Sequence, residues 1–375
     1  MKAALHVPRI RWRRPPSAAV RLSALIVGSG SGERAAACIA SLEREWLAEH
    51  RRACDLEILL AADTEDGIER AWSASSGSAR DIVAVVRDDV VFLEGSLRPL
   101  IERLQGDPDC GAVAPRVFVD DAQQLQSLPR AWPSACGRLV RAAAERFALV
   151  GRWYARRRFI HSLAWWTTEH ALASDALPEA CLFQRRKAIE RAAGLRDPRV
   201  RGDLERLDFC RRVARSGYKL VFEPRSRVVH SARTQAHAEK LQRSRFEPAP
   251  AGFLERVAER IASRLERRRR IRALERAVDL GRISTSPTFE LGRSLRFIVE
   301  VTADPKWLEA TGIVGEGPVF QFADSSWNCL GPGSHYVRAI DRDSGRTLGA
   351  WRFVKPRTTE VANTSEATAL ALAAA

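Results

Sequence analysis

The sequence predicts an α/β protein built on a mainly parallel sheet, because apolar strands and amphipathic helices alternate along its first half. An apolar run ends in glycines at "RLSALIVGSGSG", where a strand would pass into a tight loop. The segment "ERAAACIASLEREWLAEH" follows with apolar residues at roughly helical spacing, and "LEILLAAD" has the composition of a buried strand. Strand, helix and strand joined by short connections are typical of a parallel sheet with right-handed crossovers.

The same alternation continues along the chain. A helix is expected over 66–76, followed by a strand in "DIVAVVRDDVV", a helix in "EGSLRPLIERLQGD" and a strand in "GAVAPRVFVDD". Residues 125–175 are rich in arginine and tryptophan and are expected to form an excursion from the sheet. A helix in "DLERLDFCRRVARSG" and a strand from Val221 to Val229 complete the pattern.

The length of 375 residues is sufficient for two domains. After about residue 236 the pattern changes to a basic helix and then to short strands with Gly and Pro turns. We expect the following division: a basic disordered arm over 1–20, the α/β domain over 21–235, a basic helical linker over 236–284, a small C-terminal β domain over 285–355 and a disordered tail over 356–375.

Composition limits the partners and the compartment. The formal net charge of +15 favours an anionic partner, but no nucleic-acid-binding motif accompanies it. No apolar run approaches the roughly 18–20 residues of a membrane span, and no apolar core of a secretory signal precedes the first prolines. Seven cysteines without paired spacing favour thiols in a reducing compartment. We expect a cytoplasmic protein that does not bind nucleic acid.

Two carboxylates, Asp88 and Asp89, follow the apolar run "IVAVV". Open α/β sheets bind ligands at the carboxyl edge of their strands, where these residues would lie. Mg²⁺ and Mn²⁺ prefer such oxygen ligands and share them with substrate phosphates. The other interpretation is a strand-end turn or helix cap, because Asp caps helices well.

A second group of polar residues lies in "GDLERLDFCRRVARSGYKLVFEPRSRVVH". Glu205 and Asp208 can share one face of a helix that also carries Asp203, and one of them could act as a general base. His230, at the end of the next strand, is either a metal ligand or a hydrogen-bonded histidine. The loop "GSGSGE" is not a dinucleotide fingerprint, because Glu33 stands where the third glycine is required, and it is either a phosphate-contacting loop or a plain turn.

Residues 21–235 resemble the inverting glycosyltransferases of family 2, which have the GT-A nucleotide-sugar-binding fold. The stretch "RDDVVFLEGSLRPLIERLQGDPDCGAVAPRVF" is similar to the family's stretch from the metal motif to the next strand. The segment "EACLFQRRKAIERAAGL" is similar to its acceptor-side segment. The segment "LERLDFCRRVARSGYKLVFEPRSRVVH" is similar to the base helix and the strand that ends in histidine, and this match is the most specific because several spacings agree.

The resemblance implies a set of site residues. It assigns Mg²⁺ or Mn²⁺ to Asp89 and His230, and the catalytic base to Asp208 or Glu205. It assigns the donor to Gly28, Ser29, Gly30, Asp63, Arg87 and Asp88.

The metal and base motifs both depart from the family pattern. Arg87 and Arg206 stand where aspartates are usual. An arginine beside a diphosphate can offset part of its charge. The departures leave the metal affinity and the identity of the base open.

Two hypotheses of function follow. The first is a metal-assisted, inverting transferase that moves a hexose or deoxyhexose from a nucleotide diphosphate-sugar to a hydroxyl of a surface polysaccharide or lipid-linked glycan. The second is a catalytically degenerate transferase-like protein that binds a glycan or serves as a scaffold. The basic segment 264–272 suggests either peripheral contact with an anionic membrane at its inner face or a solvated helix face. For Trp165 and Trp166, core packing is expected ahead of sugar stacking.

Overall fold

The computed structural model describes residues 9–12, 20–28, 32–49, 54–75, 81–129, 135–197, 200, 205–230, 257, 260–262, 264, 265 and 276–357. They form a mixed α/β fold around one extended sheet. The predicted tail and most of the predicted arm and linker lie outside these residues, so the predicted domain boundaries stay predictions. No helix in these ranges is long and apolar enough to cross a membrane.

The first part of the sheet contains three parallel strands, as predicted. Its strands are β1 (Arg9–Trp12), β2 (Val20–Gly28), β3 (Cys54–Ala62) and β4 (Ile82–Arg87). Strand β2 runs parallel to both β3 and β4, with Leu22 opposite Leu56 on one side and Ile82 on the other. Strand β1, within the predicted arm, pairs with β3 in the antiparallel direction. The carboxyl ends of β2, β3 and β4 therefore share one edge.

The remaining strands of the first half make the sheet mixed, so the prediction of a mainly parallel sheet was wrong. They are β5 (Val90–Phe92), β6 (Cys110–Phe118), β7 (Gln126–Ser127), β8 (Leu172–Ser174), β9 (Cys181–Arg185) and β10 (Lys219–His230). Strand β9 lies between β4 and β6 and is antiparallel to both. After the excursion the chain re-enters the sheet at the carboxyl end of β4, where Cys181 pairs with Val86. Strand β9 therefore runs in the direction opposite to β4.

Helices cover both faces of this sheet. They are α1 (Gly32–Glu49), α2 (Glu65–Ala74), α3 (Leu97–Gly106), α4 (Ala135–Arg146), α5 (Ala148–Thr167), α6 (Arg186–Arg191) and α7 (Glu205–Arg215). Leu22, Ala24 and Ile26 of β2 join one core with α1 and α3, while Leu25 and Val27 join the other with α2, α6 and α7. Burial on both faces explains why this strand is apolar at nearly every position.

The predicted excursion consists of α4 and α5. Trp165 of α5 packs on Phe222 of β10, with 4.3 Å between ring centroids. Trp166 is buried against Gly312, where a Cβ atom would lie 2.2 Å from its Cε2 atom. Both tryptophans therefore serve core packing, as predicted.

The C-terminal strands continue the same sheet. They are β11 (Val278–Arg282), β12 (Thr288–Thr302), β13 (Thr311–Gln321), β14 (Gly333–Asp341) and β15 (Thr347–Lys355), with a short helix α8 (Asp324–Cys329). Gly312 of β13 pairs with Gln126 of β7, and Val119 and Leu125 belong to the core of these strands. Asp120 accepts a hydrogen bond of 2.7 Å from the Ser326 hydroxyl. The C-terminal strands therefore share both a sheet and a core with the preceding region.

Candidate active site

The site is built where β2, β3 and β4 end. The backbone N–H of Asp63, just after β3, donates to Gly28 O at 3.0 Å, and that of Asp88 donates to Val27 O at 2.9 Å. The backbone N–H of Arg87 donates to Ala180 O at 2.9 Å. These bonds fix the strand ends and the turn at Asp88 and Asp89, so the side chains of these residues are held at one edge.

Gly28 makes room for the first carboxylate of that turn. A Cβ atom at position 28 would lie 1.7 Å from Asp88 Oδ2 and 1.8 Å from its carboxyl carbon. Asp88 is buried directly over the glycine backbone. The absence of a side chain at Gly28 therefore allows a carboxylate to pack against the end of β2.

Asp89 and His230, far apart in sequence, are in direct contact. The antiparallel pairing of β5 with β10 sets His230 opposite Val90, and His230 Nε2 lies 3.0 Å from Asp89 Oδ1. Burial favours the protonated acid, but the hydrogen bond and charge of His230, together with the charge of Arg87, outweigh burial. They hold the pKa of Asp89 below its ordinary value. Asp89 is therefore a buried anion in direct contact with a histidine.

Arg87 connects two carboxylates of the cluster. Its Nη1 donates to Asp63 Oδ2 at 3.0 Å, and its Nε lies 3.9 Å from Asp89 Oδ1. The side chain is about one-quarter exposed, unlike the buried aspartates beside it. Arg87 therefore lies at the solvent side of the cluster, where it can reach a ligand.

The cluster contains more acidic than basic groups. Three carboxylates, Asp63, Asp88 and Asp89, lie with one arginine and one histidine. Such an edge would repel an anionic diphosphate unless a cation came with it. The charge balance therefore favours a cation, or a ligand that brings one.

The donor atoms fit a metal ion that is shared with a ligand. Among the residues that the structure describes, no group of three or more His, Cys, Asp and Glu side chains could hold a metal by itself. Asp89 and His230 provide one oxygen and one nitrogen donor side by side. Mg²⁺ commonly takes one or two protein carboxylates and completes its shell with phosphate oxygens and water, and Mn²⁺ accepts similar oxygen ligands. The Asp89 carboxylate fits such an ion, and the His230 imidazole is a less usual ligand that suits Mn²⁺ better than the harder Mg²⁺.

The two candidate bases lie on α7 and are both paired with arginine. Asp208 Oδ2 accepts a 2.6 Å bond from Arg212 Nε, and Arg212 also donates to the carbonyl oxygens of Ala192, Gly194 and Leu195. Glu205 Oε1 lies 2.5 Å from Arg196 Nη2. These contacts tie α7 to the turn after α6. They also occupy one oxygen on each candidate base.

Some predicted residues lie outside the described part of the chain. Ser29 and Gly30 of the donor loop and Asp203 are among them, as is the side chain of Arg206. The cluster at the strand ends thus unites Gly28, Asp63, Arg87, Asp88, Asp89 and His230.

Sequence reasoning missed two neighbours of the site. Cys38, expected only as a core residue, donates its thiol to Arg87 O with a sulfur–oxygen distance of 3.5 Å. Burial, followed by the charges of Asp88 and Asp89, raises the pKa of Cys38 to about 12, so it lies under the turn as a neutral thiol. Ala180, whose carbonyl accepts from Arg87 N–H, could not be placed because the reversed direction of β9 carries no signal in the periodicity.

Comparisons with known proteins give little further information. No protein-family model and no curated protein matches the chain. One similar solved structure is the crystal structure of GalNAc-T7 with UDP, GalNAc and Mn²⁺, at 16% identity and a TM-score of 0.36. The match covers 56% of this chain and 44% of that one, so the chain spans less than half the length of that protein. At this TM-score the likeness carries no argument.

Proposed function

We propose that the chain is a metal-assisted, inverting glycosyltransferase of the GT-A type. It would transfer a hexose or deoxyhexose from a nucleotide diphosphate-sugar to a hydroxyl of a surface polysaccharide or lipid-linked glycan, in the cytoplasm. The observation that supports this most is the buried pair Asp88 and Asp89 at the carboxyl edge of the sheet, with His230 Nε2 3.0 Å from Asp89. Open α/β sheets bind their ligands at this edge.

The donor would bind across the ends of β2, β3 and β4. Asp89 and His230 would hold Mg²⁺ or Mn²⁺, which neutralises the charge of the departing diphosphate. Arg87, one-quarter exposed, would swing from Asp63 to a phosphate oxygen, since guanidinium binds phosphate well. Asp63 and the Gly28–Gly30 loop would then contact the nucleoside.

The catalytic base would be Asp208 or Glu205 of α7. Either carboxylate would accept the proton of the acceptor hydroxyl as that oxygen attacks the anomeric carbon. Because Arg212 occupies Asp208 Oδ2, the acceptor would approach the other oxygen, or Arg212 would move aside. Through its contacts with Asp208 and the turn after α6, Arg212 would hold α7 in position.

One observation favours the second function, a degenerate protein that binds a glycan or serves as a scaffold. Both candidate bases are engaged by arginines, in contacts of 2.6 Å and 2.5 Å. A carboxylate used in this way holds the fold together and does not need to react. On this alternative the strand-end cluster would bind a nucleotide-sugar without transferring the sugar.

Thermal-shift measurements with UDP-, GDP- and dTDP-sugars, each with and without Mn²⁺, test the proposal. A stabilisation by one donor that requires Mn²⁺ is expected, followed by release of the nucleoside diphosphate in the presence of acceptor. Asp89→Ala should abolish both, while Asp109→Asn, at the opposite end of β6, should change neither. No response to any donor would refute the proposal, and a metal-dependent shift without turnover would favour the degenerate binding protein.

A further inference from the structure

The outer face of α5 presents large apolar side chains to solvent. Leu149 is 78% exposed, Ile160 58% and Trp153 51%. The three positions are spaced by four and seven residues, so they form one stripe along the helix. Four of the eight large hydrophobic side chains that are exposed in the described part of the chain lie between 147 and 160. Such a concentration of exposed apolar side chains marks an interaction surface.

Arginines flank this stripe on both sides. Arg152 and Arg156 lie on one flank and Arg157 on the other, with the Arg157 guanidinium 5.5 Å from the centre of the Trp153 ring. The sequence contains no acidic residue from 146 to 168. Within the described ranges these three arginines form no ion pair. The face therefore combines apolar side chains with positive charge that has no local counter-charge.

The inner face of α5 is tied firmly to the rest of the protein. Trp165 and Trp166 are buried, and Arg158 Nε donates to Trp307 O at 2.9 Å. Arg158 also contacts Glu300 of β12. Because these contacts prevent the helix from turning its apolar stripe inward, the stripe stays on the surface of the folded chain.

We propose that the outer face of α5 binds the surface of an anionic phospholipid bilayer. Leu149, Trp153 and Ile160 would enter the boundary between headgroups and acyl chains, where tryptophan is favoured. The guanidinium groups of Arg152, Arg156 and Arg157 would extend to the lipid phosphates, since arginine buries its stem and keeps its charge in the polar layer. Charge and apolar exposure on one face fit a lipid surface better than a second copy of the same basic face, which would repel it.

This surface differs from segment 264–272, which the sequence suggested for membrane contact. It also does not depend on the proposed transferase function, because neither donor nor metal enters its test. If the chain does not respond to any donor, it can still bind vesicles through α5. If it transfers a sugar, it can still fail to bind vesicles.

Vesicle flotation with the full chain tests the proposal. We expect binding to vesicles of phosphatidylglycerol and phosphatidylcholine, little binding to phosphatidylcholine alone, and loss of binding as salt is raised. The triple variant L149S/W153S/I160S should bind about tenfold more weakly or worse. The variant R152Q/R156Q/R157Q should lose both affinity and most of the salt dependence.

The matched control is V278S/V319S, which removes two other exposed hydrophobic side chains, on β11 and β13, and should bind as the unaltered chain does. Circular dichroism and a melting curve check that each variant folds. If the serine variant does not fold, the arginine variant is the test. Equal binding by the α5 variants and the unaltered chain would overturn the proposal, as would equal binding to neutral vesicles. A dimer that the serine variant dissociates, with no vesicle binding, would identify the face as a contact between copies.

Discussion

Two regions of the molecule bury charged side chains, and they differ in how the charges balance. At the C-terminal strands, Glu300 is fully buried and contacts two arginines, Arg158 of α5 and Arg338 of β14. At the strand-end cluster, three carboxylates lie with Arg87 and His230. In the first region one carboxylate contacts two arginines, whereas in the second three carboxylates lie with one arginine and one histidine.

The two regions also differ in how far their charged side chains are exposed to solvent. Arg338 Nε donates to Glu300 Oε2 at 2.6 Å, and its guanidinium lies 4.5 Å from the centre of the Trp307 ring, so that cluster is enclosed. Arg87 is partly exposed, and so is its partner Asp63. An enclosed cluster joins α5 to the C-terminal strands, whereas an open acidic edge can accept a cation and its ligand. Burial of charge alone therefore does not indicate a site, whereas an open cluster with an excess of carboxylates is a candidate for one.

The largest predicted effect tests the enclosed cluster. Glu300→Gln removes the carboxylate that contacts both Arg158 and Arg338, and breaking a buried ion pair in this way costs about 3–5 kcal/mol. Denaturant unfolding should show this loss in the free energy of unfolding. Glu316→Gln, on the exposed side of β13, is the control and should change it by less than about 0.5 kcal/mol. An unchanged unfolding midpoint in Glu300→Gln would show that this cluster does not stabilise the contact between α5 and the C-terminal strands.

A smaller effect on stability, with a large effect on binding, is expected at the open cluster. Gly28→Ala sets a Cβ atom 1.7 Å from Asp88 Oδ2, so Asp88 must leave its place. Overpacking of this kind costs about 1–3 kcal/mol. The thermal shift produced by the donor and Mn²⁺ should disappear as well. Gly106→Ala, where a Cβ atom meets nothing within 4 Å, should retain the shift, and a retained shift in Gly28→Ala would separate Asp88 from the donor site.

The sequence predicted the parallel strands and the helices better than the direction of β9. The continuous apolar run of β2 and the glycines after it are local signals, and the structure has the strand where they predict it. The reversal of β9 depends on where the excursion brings the chain back, and no local pattern records that.

For the site, the residues at the strand ends were identified, but two kinds of contact were not. Arg212 reaches Asp208 from one turn further along α7, and Arg196 reaches Glu205 from the turn after α6. Neither contact could be weighed against a catalytic role from the sequence alone. The position of Cys38 beneath Arg87 depends on how α1 packs on the sheet. The roles of all these residues stay predictions until the donor screen is done.

The buried carboxylate Glu223 offers an intermediate case between the two clusters, with a pH dependence. Burial opposes its ionisation, but hydrogen bonds from Arg225 and Arg103 outweigh burial and hold its pKa below the ordinary value. The pKa of the carboxyl group in the unfolded chain is about 4.3. The stabilisation by Glu223 is therefore complete above that pH and is lost as the pH falls through the lower folded pKa.

Unfolding measurements of the unaltered chain and Glu223→Gln between pH 7 and pH 3 test this. The difference in the free energy of unfolding should be constant at neutral pH and shrink below about pH 4. The effect should be smaller than at Glu300, because Arg225 is more than half exposed and screened by water. A difference that stays constant to pH 3 would contradict the expectation.

The smallest effect is expected for an ion pair on the protein surface. Arg296 Nη2 lies 2.5 Å from Asp343 Oδ1, closer than many buried pairs, yet both side chains are more than half exposed. Water and salt screen such a pair, so Asp343→Asn should cost less than about 1 kcal/mol, and the cost should vanish in high salt. Denaturant unfolding at low and high ionic strength measures both. A cost equal to that of Glu300→Gln would mean that distance, and not enclosure, sets the energy of these pairs, and the contrast between the enclosed and open clusters would then lose its physical basis.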